Sequence, residues 1–267
     1  MFLHLRPQSA QQFGAITVFT ACVLATSVPC AASADAIDEI SAAIADGKSS
    51  MNFRYRFEGV DQDGKNEDAG ASTLRSRYTF VSGVTSGFSV GLETDYVSVI
   101  GSEKYNSTVN GKTQYPVVAD PDGLDLNQAY IKYQSGKLTS TFGRQRILLG
   151  DQRFVGGVAW RQNEQTYDGI RLAYKASDSL TLDYSAITRV RRIFGPDDGV
   201  QPSKWDSNSH LFTATNTFAA GYKLSAFAYL LDFENGNWLP NSNATYGVSY
   251  DGTVSGFKIG AKLATQS

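Results

Sequence analysis

From Met51 onward, apolar and polar residues alternate with a period of two. In MNFRYRFE (51–58), Met51, Phe53, Tyr55 and Phe57 fall on one side of an extended strand. Asn52, Arg54, Arg56 and Glu58 fall on the other. FSVGLETDY (88–96), LTLDYSAITRV (180–190) and FKIGAKLA (257–264) divide in the same way. Such alternation sets one face of a sheet against an apolar medium and the other against water. It predicts eleven strands, near 51–60, 72–81, 88–100, 125–134, 138–147, 166–174, 180–190, 210–218, 222–232, 244–250 and 256–264.

The connections alternate in length. Those at 82–87, 135–137, 175–179, 219–221 and 251–255 are short; those at 61–71, 101–124, 148–165, 191–209 and 233–243 are long. A soluble sheet has no need to gather its tight turns at one end, whereas an outer-membrane barrel does so. Most strands run about 9–11 residues, the length a tilted strand needs to cross the hydrocarbon layer. The expected fold is therefore all-β, a transmembrane antiparallel up-and-down barrel over 50–267. Before it, AIDEISAAIAD (36–46) has helical spacing and stops at Gly47, which predicts a short periplasmic helix within a segment 35–49. Eleven is odd, while single-chain bacterial barrels close with even numbers. The chain also ends AKLATQS, without a terminal aromatic. The expectation is the N-terminal part of a larger barrel.

The first 34 residues read as a secretory leader: Arg6, then the apolar run FGAITVFTACVLATSV, then Ala32-Ser33-Ala34 as a small-x-small cleavage site. Cys22 and Cys30, the two cysteines, fall in that piece, so no disulfide is expected. With 24 basic and 26 acidic side chains the formal charge is −2, and losing Arg6 makes it one unit more negative. That balance excludes nucleic acid as the partner of the whole surface. The 19% of charged residues, 25 glycines, 15 phenylalanines and 14 tyrosines suit a β-rich chain. Placement in the outer membrane of a Gram-negative cell follows, with membrane lipid and lipopolysaccharide as neighbours.

Alternation places Arg54, Arg56, Arg75, Arg77, Lys132, Arg171 and Arg189 inward, with Glu58, Glu93, Asp95 and Asp183 among them. A lumen with walls of opposite sign orients solutes by charge; equally, such charges pair with one another to keep a filled interior polar. The stretch GRQRILLGDQRFVGGVAWRQNEQTYDG (143–169) holds four arginines, four glutamines and no lysine. Arg144 and Arg146 share parity with the lipid-facing Leu138 and Phe142, unless a bulge at Gly143 turns them inward. Residues 148–165 are expected either to enter the lumen as a constriction or to form a plug pinned by Asp151, Glu164 and Asp168. That loop offers Arg153, Arg161, Gln162 and Gln165. Guanidinium matches carboxylate with paired bonds, and glutamine bonds sugar hydroxyls in either sense.

This stretch, preceded by DLNQAYIKY, resembles the alginate export family of outer-membrane barrels, and FRYRFE in the first strand fits it too. The resemblance implies a barrel of about 18 strands and passage of a polyuronate through an arginine-rich lumen. The expected function is passive passage of anionic or polar solutes, uronate polymers or oligomers among them, with no bond made and no cofactor. Two alternatives from other classes are an exported soluble β-sandwich that binds glycans and a barrel hydrolase using His210. DQDGKNED (Asp61, Asp63, Glu67, Asp68) and DPDGLD (Asp120, Asp122, Asp125) supply oxygens and sharp turns but not a full calcium loop, so no metal is assigned. Trp160, Trp205 and Trp238 are expected in outer loops, in an aromatic belt or against sugar rings.

Overall fold

The computed structural model describes residues 34–219, 221–234 and 240–267. The leader proper, both cysteines and Trp238 lie outside the described residues. One helix, α1 (Ala34–Ala45), is followed by eleven strands: β1 (Lys48–Val60), β2 (Ala69–Val81), β3 (Phe88–Lys104), β4 (Gly123–Ser135), β5 (Leu138–Gln145), β6 (Thr166–Lys175), β7 (Leu180–Arg191), β8 (Lys204–Ala219), β9 (Tyr222–Leu231), β10 (Asn243–Val254) and β11 (Phe257–Gln266). Each is antiparallel to its chain neighbours in a single sheet whose order is the order of the chain. Tight turns lie at one end and long connections at the other, as the spacing predicts. Among the described residues β1 and β11 are not paired with each other, and the sheet keeps two edges.

The outer face is apolar and bare. Phe53, Phe142, Ile131, Leu182, Phe212 and Val248 all remain exposed there. A soluble sandwich would cover this face with a second layer; a barrel wall presents it to lipid. The apolar core lies inside the curve of the sheet, toward the long-connection end. Ile147, Leu149, Phe154 and Val155, from the connection after β5, pack against Tyr167, Val190, Leu211 and Tyr229 of β6 to β9. A second cluster joins Tyr105 and Val118 of the β3–β4 connection to Ala69 and Ala71 of β2. α1 closes the tight-turn end, where Gly83 N donates to Ala43 O (2.7 Å) and Thr85 Oγ1 to Glu39 Oε2 (3.2 Å).

Three of the boundaries that differ from expectation have a physical reason in the packing. β5 stops at Gln145 rather than 147, because the chain turns inward there and buries Ile147. β8 begins at Lys204 rather than 210. KWDSNS lacks an apolar alternation, but Trp205 packs inward on Phe233 while Asp206 pairs outward with Arg189. β3 runs on to Lys104 through a register shift opposite Ala71/Thr73.

Candidate functional site

The connection 146–165 crosses the inner face and docks on strands far away in sequence. Its first half is the apolar anchor on β6 to β9. Its second half, 159–164, sits on β1 and β2. Arg54 donates to Gln162 Oε1 (3.0 Å), Ala159 O (2.9 Å) and Arg161 O, and Arg56 donates to Trp160 O (2.6 Å). Gln162, fully buried, returns its amide to Thr73 Oγ1 (2.9 Å) and to the carbonyls of Thr73 and Arg54 (3.2 Å each). Its backbone N–H reaches Asp120 Oδ1 (2.9 Å). Arg161 contacts Glu58 (3.0 Å), and its guanidinium lies 4.1 Å from the centre of the Trp160 ring. Two opposed inward arginines, Arg54 and Arg75, stand in register on β1 and β2. Arg75 donates to Asn52 Oδ1 (3.0 Å), and its Nε has no hydrogen-bond partner among the described residues.

One step along β2, a buried charge network ties the connection to the wall. Arg77 holds Asp95 with two bonds (2.6 Å each) and Glu164 with a third (2.6 Å). Arg146 also contacts Glu164, and both nitrogens of its fork reach Glu93. Glu93 further accepts from Asn127 (2.6 Å) and Thr79 (2.8 Å). Burial pushes the Glu164 carboxyl up, but the hydrogen bond from Arg146 and the charges of Arg77 and Arg146 outweigh it and leave it below the ordinary glutamate range. Asp120 behaves in the opposite way. Burial raises it, and the bond from Gln162 with the charges of Arg56 and Arg161 offsets only part of the rise.

The other expected residues divide. Arg171 pairs with Asp183 (2.8 Å) on the inner face. Lys132, Arg146 and Arg171 line one cavity there with Gln128, Thr139 and Thr141. Gln165 bonds Tyr167 Oη (2.8 Å) within the apolar anchor. Arg153 is exposed, its N–H on Asp151.

Arg144 and Arg189 are corrections to the inward set. The β4–β5–β6 register runs unbroken through Gly143, so Arg144 stays with Phe142 on the outer face, bound to Asp168 (2.7 Å). Arg146 turns inward because β5 has ended, not through a bulge. In β7 the register shifts between Ile187 and Arg189, which moves Arg189 outward to Asp206 (2.8 Å). Of the three acids expected to pin a plug, only Glu164 ties the connection to the ladder. Asp151 contacts Lys262 on β11, and Asp168 belongs to the outer face.

Thr73, Thr79, Asn52 and Asn127 are partners that the charge reading passed over. The two threonines share the inward parity of Arg75 and Arg77, a signal already present in the alternation. Asn127 lies in a register shift of β4 that the alternation does not reveal. Asp120 and Asp122 serve the fold: the first holds Gln162, and the second accepts from Val99 N at 3.4 Å. Among the described residues no three acidic or histidine side chains gather as a metal site, Asp61 and Asp63 included. His210 lies within β8 on the outer face, with Nδ1 2.9 Å from Tyr184 Oη. Trp205 belongs to a strand rather than a loop.

Comparison with known proteins agrees with this architecture. The family described as alginate export matches residues 96–192. Among solved structures, OccAB4 of Acinetobacter baumannii is 17% identical with a TM-score of 0.56, over 82% of this chain and 57% of that one. OccK8 (OprE) of Pseudomonas aeruginosa is 14% identical, TM-score 0.60, over 84% and 54%. OpdO of Pseudomonas aeruginosa is 12% identical, TM-score 0.63, over 85% and 57%. No curated protein matches in sequence. The chain thus spans somewhat over half the length of these structures. With its bare apolar exterior, its charged interior and an alginate export match across the docked connection, the chain has the fold of an outer-membrane β-barrel and is similar over residues 96–192 to the alginate export family.

Proposed function

We propose that the inner face passes carboxylated and other polar solutes, uronate polymers and oligomers among them, passively down their gradient. One observation carries this reading. Lys132, Arg146 and Arg171 converge on a single inner-face cavity beside the docked connection, together with the amide of Gln128 and the hydroxyls of Thr139 and Thr141. Arg146 and Arg171 reach it already paired with Glu93, Glu164 and Asp183, which leaves Lys132 as its cation without an ion pair among the described residues; an ammonium suits carboxylates, and amides with hydroxyls suit sugar hydroxyls. The ladder of Arg54, Arg56, Arg75 and Arg77 has a different task in this reading. Its donors are committed largely to the connection and the wall, so it shapes the passage. Arg153 and Arg161 are likewise at a distance from the cavity that meets the solute.

The test is ion selectivity in planar bilayers. Replacing Lys132 and Arg171 with glutamine removes two positive charges from the cavity. The expected reversal potential under a salt gradient moves toward cation preference, and block by added uronate oligomers weakens about tenfold, as for the loss of a charge-assisted pair. Unchanged selectivity and unchanged block would remove the cavity from the solute's path.

A further inference from the structure

On the outer face, where lipid is the neighbour, three arginines share two carboxylates. Asp168 of β6 takes Arg144 of β5 (2.7 Å), Arg191 of β7 (3.4 Å) and Arg189 of β7 (3.8 Å), and Arg189 also takes Asp206 of β8 (2.8 Å). Asp125, the next carboxylate along β4, stands opposite Asp95 and also feels the charges of Arg144 and Arg191. The cluster sits toward the long-connection end, six residues up β6 from the outward Tyr174, roughly 20 Å along a tilted strand. At a tilt of about 40° that is roughly 15 Å of height, in the upper half of an apolar band about 25 Å tall. Charges on a lipid-facing wall are costly there unless a polar group meets them.

Directly below runs a groove of about 400 Å³. Its floor is made of small residues, Ala129, Gly143, Gly169 and Ala186, one from each of four adjacent strands, and Leu126 and Phe142 rise beside it. Neither glycine leaves room for a side chain. A Cβ on Gly143 would meet Ala129 O at 2.4 Å, and one on Gly169 would meet Ala186 O at 2.1 Å. Arg144, Asp168 and Thr188 form its upper rim.

We propose that this surface is a binding site for lipid A of the outer leaflet, with an acyl chain in the groove and a phosphate on Arg189 and Arg191. Charge complementarity selects this occupant. Arg189 keeps more than a third of its side chain exposed beside Asp168 and Asp206, and guanidinium binds phosphate with paired bonds. The long-connection end faces the leaflet whose lipid carries phosphates on an acylated sugar. The site depends only on which face meets lipid, so a failed selectivity test leaves it standing.

Native mass spectrometry of the detergent-solubilised protein tests it. Bisphosphorylated lipid A, dephosphorylated lipid A and phosphatidylglycerol are each offered at equal concentration. The expected result is an adduct with bisphosphorylated lipid A, at least about tenfold weaker with the dephosphorylated form. An Arg189→Gln/Arg191→Gln variant, checked for folding by heat-modifiable gel migration, loses that preference. Equal binding of the two lipid A forms to the unaltered protein overturns the proposal without any variant. Equal binding of phosphatidylglycerol overturns the choice of lipid A.

Discussion

Arg77→Met is expected to destabilise the wall more than any other inward substitution, by about 3–5 kcal/mol, because it removes one partner of a buried ion network. Arg77 satisfies Asp95 through two bonds and Glu164 through a third, and its Nε stands 3.5 Å from Glu93. All three carboxylates are nearly fully buried. Without Arg77 the network retains Arg146 as its direct cation and leaves Asp95 without either of its two short bonds. Arg77→Lys keeps the charge but not the fork, so it should fall between the parent and the methionine variant. Urea unfolding in lipid vesicles, followed by tryptophan fluorescence, measures the order. A methionine variant as stable as the parent would mean that the three acids find other partners or protons at little cost.

The alternation made this network partly visible in advance. Arg75, Arg77, Glu93 and Asp95 could be placed on one inner face because period two survives along β2 and most of β3. What the alternation could not show is where parity breaks. Asn127 and the residue before Arg189 occupy register shifts, and neither has a glycine or proline beside it in its own strand. β5 ends early because Ile147 finds a core made of β6 to β9, a tertiary cause invisible from the segment itself. Arg144 and Arg146 therefore share a parity and yet face opposite media. The concentration of arginine and glutamine at 143–169 did mark the inner-face connection. Which side chains would meet depended on the sheet's curvature, which brings β1 to a loop about a hundred residues later. The planar groups gathered there mostly bind the protein itself: Gln162 bonds Thr73 and Arg54, and Arg146 bonds Glu93 and Glu164.

Glu164→Gln should separate the connection from the wall without breaking the wall. The substitution leaves Arg77 and Arg146 facing Glu93 and Asp95, two charges of each sign, so β2 and β3 keep their balance. What weakens is the tie between β1–β3 and the connection, by about 1.5–3 kcal/mol for hydrogen bonds to a charged group. The apolar anchor of Ile147, Leu149 and Val155 still holds the first half of the connection, so release is confined to 159–164. Trypsin should then cut after Arg161, which is partly buried in the parent, and single-channel current should become noisier with brief higher-conductance openings. The same tie gives a pH dependence of definite sign. The carboxyl of Glu164 lies below its unfolded value, so its contribution is fully present above the ordinary glutamate range and is lost as pH falls through the depressed folded value. Asp120, raised by burial, has the opposite slope: its ionisation costs stability as pH rises above the unfolded aspartate range, and acid relieves that cost. Acidification should therefore protonate Asp120 first and favour the docked connection, and only stronger acid should release it through Glu164. In Glu164→Gln the second phase disappears while the first remains. Current noise that rises steadily from neutral pH downward, in both proteins alike, would show that neither carboxylate controls docking.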